Sequence, residues 1–110
     1  MLPKRHRLSV AAFNQFFKRG RRRHGTYLTV VYTPHDSFAG AVVVGKKVYR
    51  RAVDRNRLRR QLYPVLREFF TATNTTGVYQ CLVKPAAAQV PIATVRAELA
   101  TLLAQVSKDR

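Results

Sequence analysis

The chain has 110 residues, enough for one domain with a core and too few for a second. Its 46% hydrophobic content, with six Phe and five Tyr, excludes a disordered basic tail, which lacks the apolar material needed for a core. Twenty-one Lys and Arg against five Asp and Glu leave a formal charge of +16, so the compact state repels itself and calls for a polyanionic partner.

From Ser9 to Arg19, Val10, Phe13, Phe16 and Phe17 follow helical spacing, with Ser9 placed as N-cap and Gly20 as the stop. The next segment, "KRGRRRHG" from Lys18 to Gly25, is a short basic run without apolar periodicity. Tyr27 to Tyr32, "YLTVVY", reads as a strand closed by the turn residues "TPHDS". "FAGAVVVGKK" favours β structure, as one strand or a bent pair. Ala52 to about Ala72 places Leu58, Leu62, Val65, Leu66 and Phe69 on one stripe of an amphipathic helix. Pro64 within it removes a backbone hydrogen bond and crowds the Arg60 carbonyl, at a cost of about 3 kcal/mol, so a kink or two shorter helices are expected. "TATNTTG" reads as a loop, "VYQCLVK" as a strand and "PAAAQVP" as a connector. Ile92 to Val106 forms a last helix with Val95, Leu99, Leu102, Leu103 and Val106 inward.

Nucleic acid leads among polyanions, since releasing counterions from phosphates drives salt-sensitive binding. An anionic membrane is the rival, but no run approaches the ~18 apolar residues of a spanning helix. Charges also interrupt the N-terminal segment before a signal-peptide core develops, so a cytoplasmic protein without a membrane partner is expected. Cys81 is the sole cysteine, which excludes an internal disulfide and a paired-thiol metal motif, and its strand context marks it as a small buried hydrophobe.

"GAVVVGKK" matches the first seven places of a phosphate loop through Gly40, Gly45 and Lys46. The eighth is Lys47 instead of the Ser or Thr that holds Mg²⁺, and "AVVV" extends where the loop must curl. The acids Asp36, Asp54, Glu68, Glu98 and Asp109 are scattered, and His6, His24 and His35 fall in separate segments, expected to be surface or RNA-facing loops. No catalytic constellation and no protein metal site is expected.

Between Lys46 and Arg60 stand eight basic side chains with one acid, Asp54. At 100° per residue, Asn56 and Arg60 project opposite the apolar stripe, Arg57 flanks that exposed face, and Arg55 and Arg59 lie towards the stripe's other edge. Arginine forks suit phosphate oxygens, and the Asn amide can both donate and accept at a base edge or a 2′-OH. A solvated face held by ion pairs is the plain alternative, and one acid cannot pair eight cations. Phe13 and Phe17, with Tyr27 and Tyr32, form a second aromatic set, for which core packing and stacking on unpaired bases both remain open.

The segment "KKVYRRAVDRNRLRR" resembles the RNR signature of the protein subunit of bacterial ribonuclease P. Supporting features are Arg7-Leu8, the Phe13/Phe17/Gly20 spacing, "VVYTP" with Tyr32, and "LVKPAA" with Lys84, and the resemblance runs from about Lys4 to the last helix. It implies an α+β two-layer sandwich in the order α-β-β-β-α-β-α, a single domain over residues 1–110, with a four-stranded sheet and a left-handed βαβ crossover. It implies that a catalytic RNA cuts precursor tRNA with Mg²⁺ held mainly by RNA and substrate, the protein acting as a monomer in a one-to-one ribonucleoprotein. Lys46, Lys47, Arg51, Arg55, Asn56, Arg57, Arg59 and Arg60 would bind the RNA subunit. Phe13, Phe17, Tyr32 and Lys84 would line a cleft for the 5′ leader. Tyr63-Pro64 stands where the family pattern continues with Arg-Glu, and Ala41 where Gly is common. Without the resemblance, the rivals are a structural or ribosomal RNA-binding protein, a stand-alone metal-dependent nuclease and a DNA-binding module.

Overall fold

The computed structural model describes residues 8–108; His6, Arg7 and Asp109, used above, lie outside them. The elements are α1 (Val10–Arg19), β1 (Arg21–His24), β2 (Leu28–Thr33), β3 (Phe38–Val43), α2 (Ala52–Thr73), β4 (Gly77–Val83), a 3₁₀ turn (Pro85–Gln89) and α3 (Ile92–Lys108). This is the α-β-β-β-α-β-α order, in a mixed sheet ordered β1-β2-β4-β3. The extra early strand comes from the basic run, whereas "FAGAVVVGKK" supplies the single strand β3 and then a turn. His24 therefore stands on a strand rather than on a loop.

β4 pairs antiparallel with β2 and parallel with β3, so α2 is the crossover between two neighbouring parallel strands. One face of the sheet carries Leu28, Val30, Phe38, Val42, Tyr79 and Cys81 into a core completed by Leu58, Leu62 and Leu66 of α2 and by Val95, Leu99 and Leu103 of α3. α1 lies against the other face. Thr33 Oγ1 donates to the Phe16 carbonyl at 3.2 Å and Gln80 Nε2 to the Phe13 carbonyl at 2.8 Å.

Ser9 caps α1, its Oγ accepting from Ala12 N at 3.2 Å. Gly20 ends the helix in an extended conformation, φ −77°, so the left-handed cap does not explain its presence. Close approach does: a Cβ there would come within 2.3 Å of Val31 Cγ1 and 2.8 Å of Thr33 Oγ1.

α2 runs unbroken through Pro64 for 22 residues, so of the two outcomes expected from the sequence, a kink or two shorter helices, the division does not occur. Leu58 and Leu62 before the proline and Val65 and Leu66 after it are all buried. Each such side chain contributes about 1.5–3 kcal/mol, and together they outweigh the ~3 kcal/mol cost of one proline. The helix continues to Thr73 and stops at Asn74, whose left-handed φ of 49° lets its N–H reach the Phe70 carbonyl. Among the described residues no helix is long and apolar enough to cross a membrane.

Cys81 is fully buried on β4, and burial pushes its thiol up to about 12. The native thiol should therefore resist alkylation at pH 8 and react only as the protein unfolds. Above the ordinary thiol value of 9.0 the unfolded chain loses this proton while the native chain keeps it, so stability from this group falls as pH rises from 9.0 towards about 12. Urea titrations over that range should give a steeper loss for the native chain than for Cys81→Ala.

Gly77 opens β4 at φ +112°, with a hypothetical Cβ 2.4 Å from the Tyr32 ring. Gly77→Ala is expected to cost at least about 2 kcal/mol, from backbone strain and overpacking together, read as a lower urea midpoint.

Candidate nucleic-acid interface

The α2 crossover presents the basic segment at the β3 side of the molecule. Lys46 and Lys47 occupy the turn after β3 and are exposed, as are Arg50, Arg51, Asn56, Arg57 and Arg60. The acid of this segment, Asp54, is held by Arg51 at 3.1 Å, so it does not neutralise the outer surface. The side chains of Lys46, Lys47 and Arg57 show no hydrogen bond or ion pair to other described residues.

Four of the expected contact cations also work inside the chain: Arg51 on Asp54, Arg60 through Nε on the Asn56 carbonyl at 3.4 Å, and Arg55 and Arg59. Arg55 is half-buried and donates to the carbonyls of Tyr49, at 3.1 Å, and Arg50, at 2.6 Å, clamping the approach to the helix. Arg59 donates to Asn56 Oδ1, which occupies the acceptor side of the amide and leaves its N–H₂ facing outward. Asn56, Arg59, Arg60 and Tyr63 line one concavity. Tyr63, the departure from the family pattern, is tied to the sheet: its hydroxyl accepts from Val42 N at 3.2 Å on edge strand β3. That bond satisfies an edge donor that would otherwise invite pairing with another chain.

The second region is the sheet face under α1. Strand register places Arg22, Val31, Gln80 and Ala41 in one row across all four strands and His24, Thr29, Leu82 and Val43 in the next. Phe13 and Phe17 stand beside these rows, half-buried, their rings stacked with centroids 5.9 Å apart. Arg22 lies over the Phe17 ring at 4.2 Å and donates to the Phe17 carbonyl at 3.2 Å. In the second row His24 is exposed, Leu82 half-buried and Val43 37% exposed. Leu82 and Val43 are the open apolar part of this face, and with the Phe pair beside them they define what we call the trough; Val43 at one end of the row precedes Lys46 and Lys47 in the chain, and β1 stands at the other end. Phe16 turns the other way, its ring edge-on to His35 at 5.5 Å.

Lys84 follows β4 and donates through Nζ to the Gly25 carbonyl at 2.6 Å. Tyr32 is placed differently from the rest of its expected set: it is 5% exposed, on the core face, its ring 5.0 Å from that of Tyr79. Its accessible part lines a concavity with Arg21, Arg22, Arg23 and Val106 at the outer edge of β1. The structure thus brings Phe13 and Phe17 together, puts Lys84 at the β1–β2 turn, and sets Tyr32 behind the sheet.

Sequence reasoning passed over Arg22 and Gln80, and counted Glu98 only among the scattered acids. Gln80 was legible as the one amide in an apolar strand; it is fully buried and pins α1. Glu98 of α3 accepts from Thr26 N and Tyr27 N, both at 2.7 Å, and so fixes the turn that carries β1 and Lys84. Gly25 makes room for it, since a Cβ there would sit 2.7 Å from the carboxylate. Among the described residues no three His, Cys, Asp or Glu side chains come together in a group that could hold a metal ion.

The sequence model of the Ribonuclease P family matches residues 2–107. The chain belongs to the Ribonuclease P family. A ribonuclease P protein component from Synechococcus sp. (strain JA-2-3B'a(2-13)) is 42% identical over 74 residues, 61% of this chain and 56% of that protein. One from Microcystis aeruginosa is 39% identical over 75 residues, 61% of this chain and 62% of its own. The chain thus aligns with less than two thirds of the length of these ribonuclease P relatives. Among solved structures, an RNase P protein from Thermotoga maritima matches with a TM-score of 0.69 at 26% identity, covering 88% of this chain and 94% of that one. An RNase P protein from Staphylococcus aureus matches with a TM-score of 0.72 at 19% identity, covering 92% and 94%, a likeness of fold.

Glu98→Ala would leave two turn amides without their carboxylate and is expected to destabilise the protein by about 1–3 kcal/mol. Hydrogen exchange should locate the loosening at Thr26 and Tyr27, with the α2 amides unaffected.

Proposed function

We propose that this chain is the protein subunit of a ribonuclease P ribonucleoprotein, binding the catalytic RNA and the 5′ leader of precursor tRNA and promoting removal of that leader. Lys46, Lys47, Arg51, Asn56, Arg57 and Arg60 face the RNA subunit, with Arg55 and Arg59 holding the surface in shape. The leader lies extended in the trough. The observation that carries this reading is the trough itself, with two half-exposed stacked Phe rings beside a sheet row whose Val43 end leads to Lys46 and Lys47, whose side chains have no partner among the described residues.

Folding would stabilise each Phe by about 1.5–3 kcal/mol through full burial, and here part of that is left unused. Stacking of unpaired bases recovers a similar amount, ~1–3 kcal/mol per base, without demanding a sequence. Such a path suits many different leaders. Hydrolysis belongs to the RNA, and Mg²⁺ would be held by RNA and substrate. This chain contributes cationic charge where two polyanions meet and holds the leader away from the cut. One protein monomer per RNA, in the cytoplasm, completes the proposal.

Purified protein mixed with a ribonuclease P RNA and precursor tRNA at low Mg²⁺ should stimulate 5′ cleavage, and no stimulation would count decisively against the proposal. Shortening the leader should weaken precursor binding; indifference to leader length would favour a structural RNA-binding role. Arg57→Ala should weaken assembly with the RNA subunit and reduce the salt slope by about one unit if it neutralises one phosphate. Phe17→Ala should impair leader affinity by about 5- to 150-fold per lost stack while leaving assembly nearly intact. Equal loss of both would return Phe17 to a purely structural role.

A further inference from the structure

The basic run Lys18–His24 has no part in the reading so far, yet it carries five Lys or Arg and one His in seven positions. The fold makes most of it an edge strand: β1 pairs only with β2 in the sheet, and all four of its residues are exposed. Charge on an edge strand discourages pairing with other chains, and that alone would account for one or two basic residues. It does not account for three guanidinium groups lining one concavity with the partly covered Tyr32.

Position adds a second argument. The sheet row that floors the trough begins at Val43, three residues before Lys46, and ends at His24 on β1. Arg22 of the same strand touches both the ring and the carbonyl of Phe17. An RNA strand leaving the trough on the side away from Lys46 and Lys47 therefore meets Arg22 and His24 first, and turns over the edge of β1 to reach Arg21 and Arg23, which alternate to the face of their register partners Tyr32 and Val30.

We propose that β1, with Tyr32, is a second phosphate-binding surface, which holds the upstream part of a single-stranded RNA leader after it has crossed the trough. The inference rests on reading the trough as the leader path. Nucleotides next to the cut lie at the Lys46–Lys47 end, beside the catalytic RNA, and those farther upstream reach β1. Arginine is the fitting residue, because its planar fork grips phosphate oxygens in pairs while its face can lie on a ring, as Arg22 does on Phe17. Arg21 and Arg23 are two residues apart on a strand, about 6.6–6.8 Å, and Arg23 is oriented by its bond to Gln105 Oε1 at 3.1 Å.

The test uses the reconstituted holoenzyme and precursor tRNAs with leaders of graded length, comparing the native protein with R21Q/R23Q and R21K/R23K. Arg22 is left in place because it supports Phe17. The native protein should gain affinity in two stages as the leader lengthens. R21Q/R23Q should keep the first and lose the second, by about 10-fold near 0.15 M salt, with the slope for long leaders lower by about 1.4, from two single-strand phosphate contacts at ~0.7 each. R21K/R23K should recover most of the loss. Assembly with the RNA subunit, measured on the same samples, should be unchanged. A second stage that survives in R21Q/R23Q overturns the role of β1 and leaves the trough reading standing. No leader dependence in the native holoenzyme overturns the trough reading, and this inference with it. Loss confined to assembly would assign the strand to the RNA subunit and likewise overturn the proposal.

Discussion

The constraint on which the structure depends is the place of β4. It is inserted between β2 and β3, buried on both faces, and runs parallel to β3. Parallel neighbours cannot be joined by a tight turn, so the chain must leave the sheet and return, and α2 is that return path. Its inner stripe is committed to the core by Leu58, Leu62, Val65 and Leu66. Its outer face is then fixed beside β3, and the arginines on it inherit a position they could not set themselves. The same strand presents Gln80 to the opposite face, where its amide holds α1 by the Phe13 carbonyl. One strand therefore orients both the cationic helix and the aromatic wall.

Electrostatics explains why these surfaces are kept apart. A net charge of +16 on a body with a radius of gyration of 12.9 Å is tolerable only if the charges spread out and meet counterions or polyanion. The two basic clusters border the trough from opposite sides, at Lys46–Arg60 and at Lys18–His24. Two of the five acids serve the architecture: Asp54 pairs with Arg51 at the start of α2, and Glu98 accepts from the amides of Thr26 and Tyr27. Neither cancels the field over the trough, which is left apolar on its floor and positive at its borders.

Helical periodicity was enough to locate α1, α2 and α3 within a few residues, and β-branched runs enough for β2, β3 and β4. Two local arguments were overruled. Pro64 was read as a kink or a division into two helices because the propensity cost is local; the division does not occur, because the burial that offsets the cost comes from α3 and the sheet. β1 was invisible because a strand of four exposed basic residues has no apolar alternation; it exists through pairing with β2. Tyr32 shows the same limit for the site, since strand parity decides which face it takes and parity depends on register. Arg55 was legible as a cation, but its use as a clamp on the carbonyls of Tyr49 and Arg50 depends on how the preceding turn folds back.

What the amino-acid sequence determined by itself is the set of parts: the charge excess, the arginine-rich amphipathic helix, the Phe13/Phe17 spacing, and the family signature that joins them. These are properties of composition and of contacts within a few residues. The tertiary structure alone decided that a sheet row runs from Val43 to His24 alongside the two Phe rings, that Tyr63 closes the β3 edge, and that the basic run becomes a strand bordering the trough. Each of these depends on residues brought together by strand pairing or by the α2 crossover, and such long-range pairing leaves no periodic trace in the local sequence.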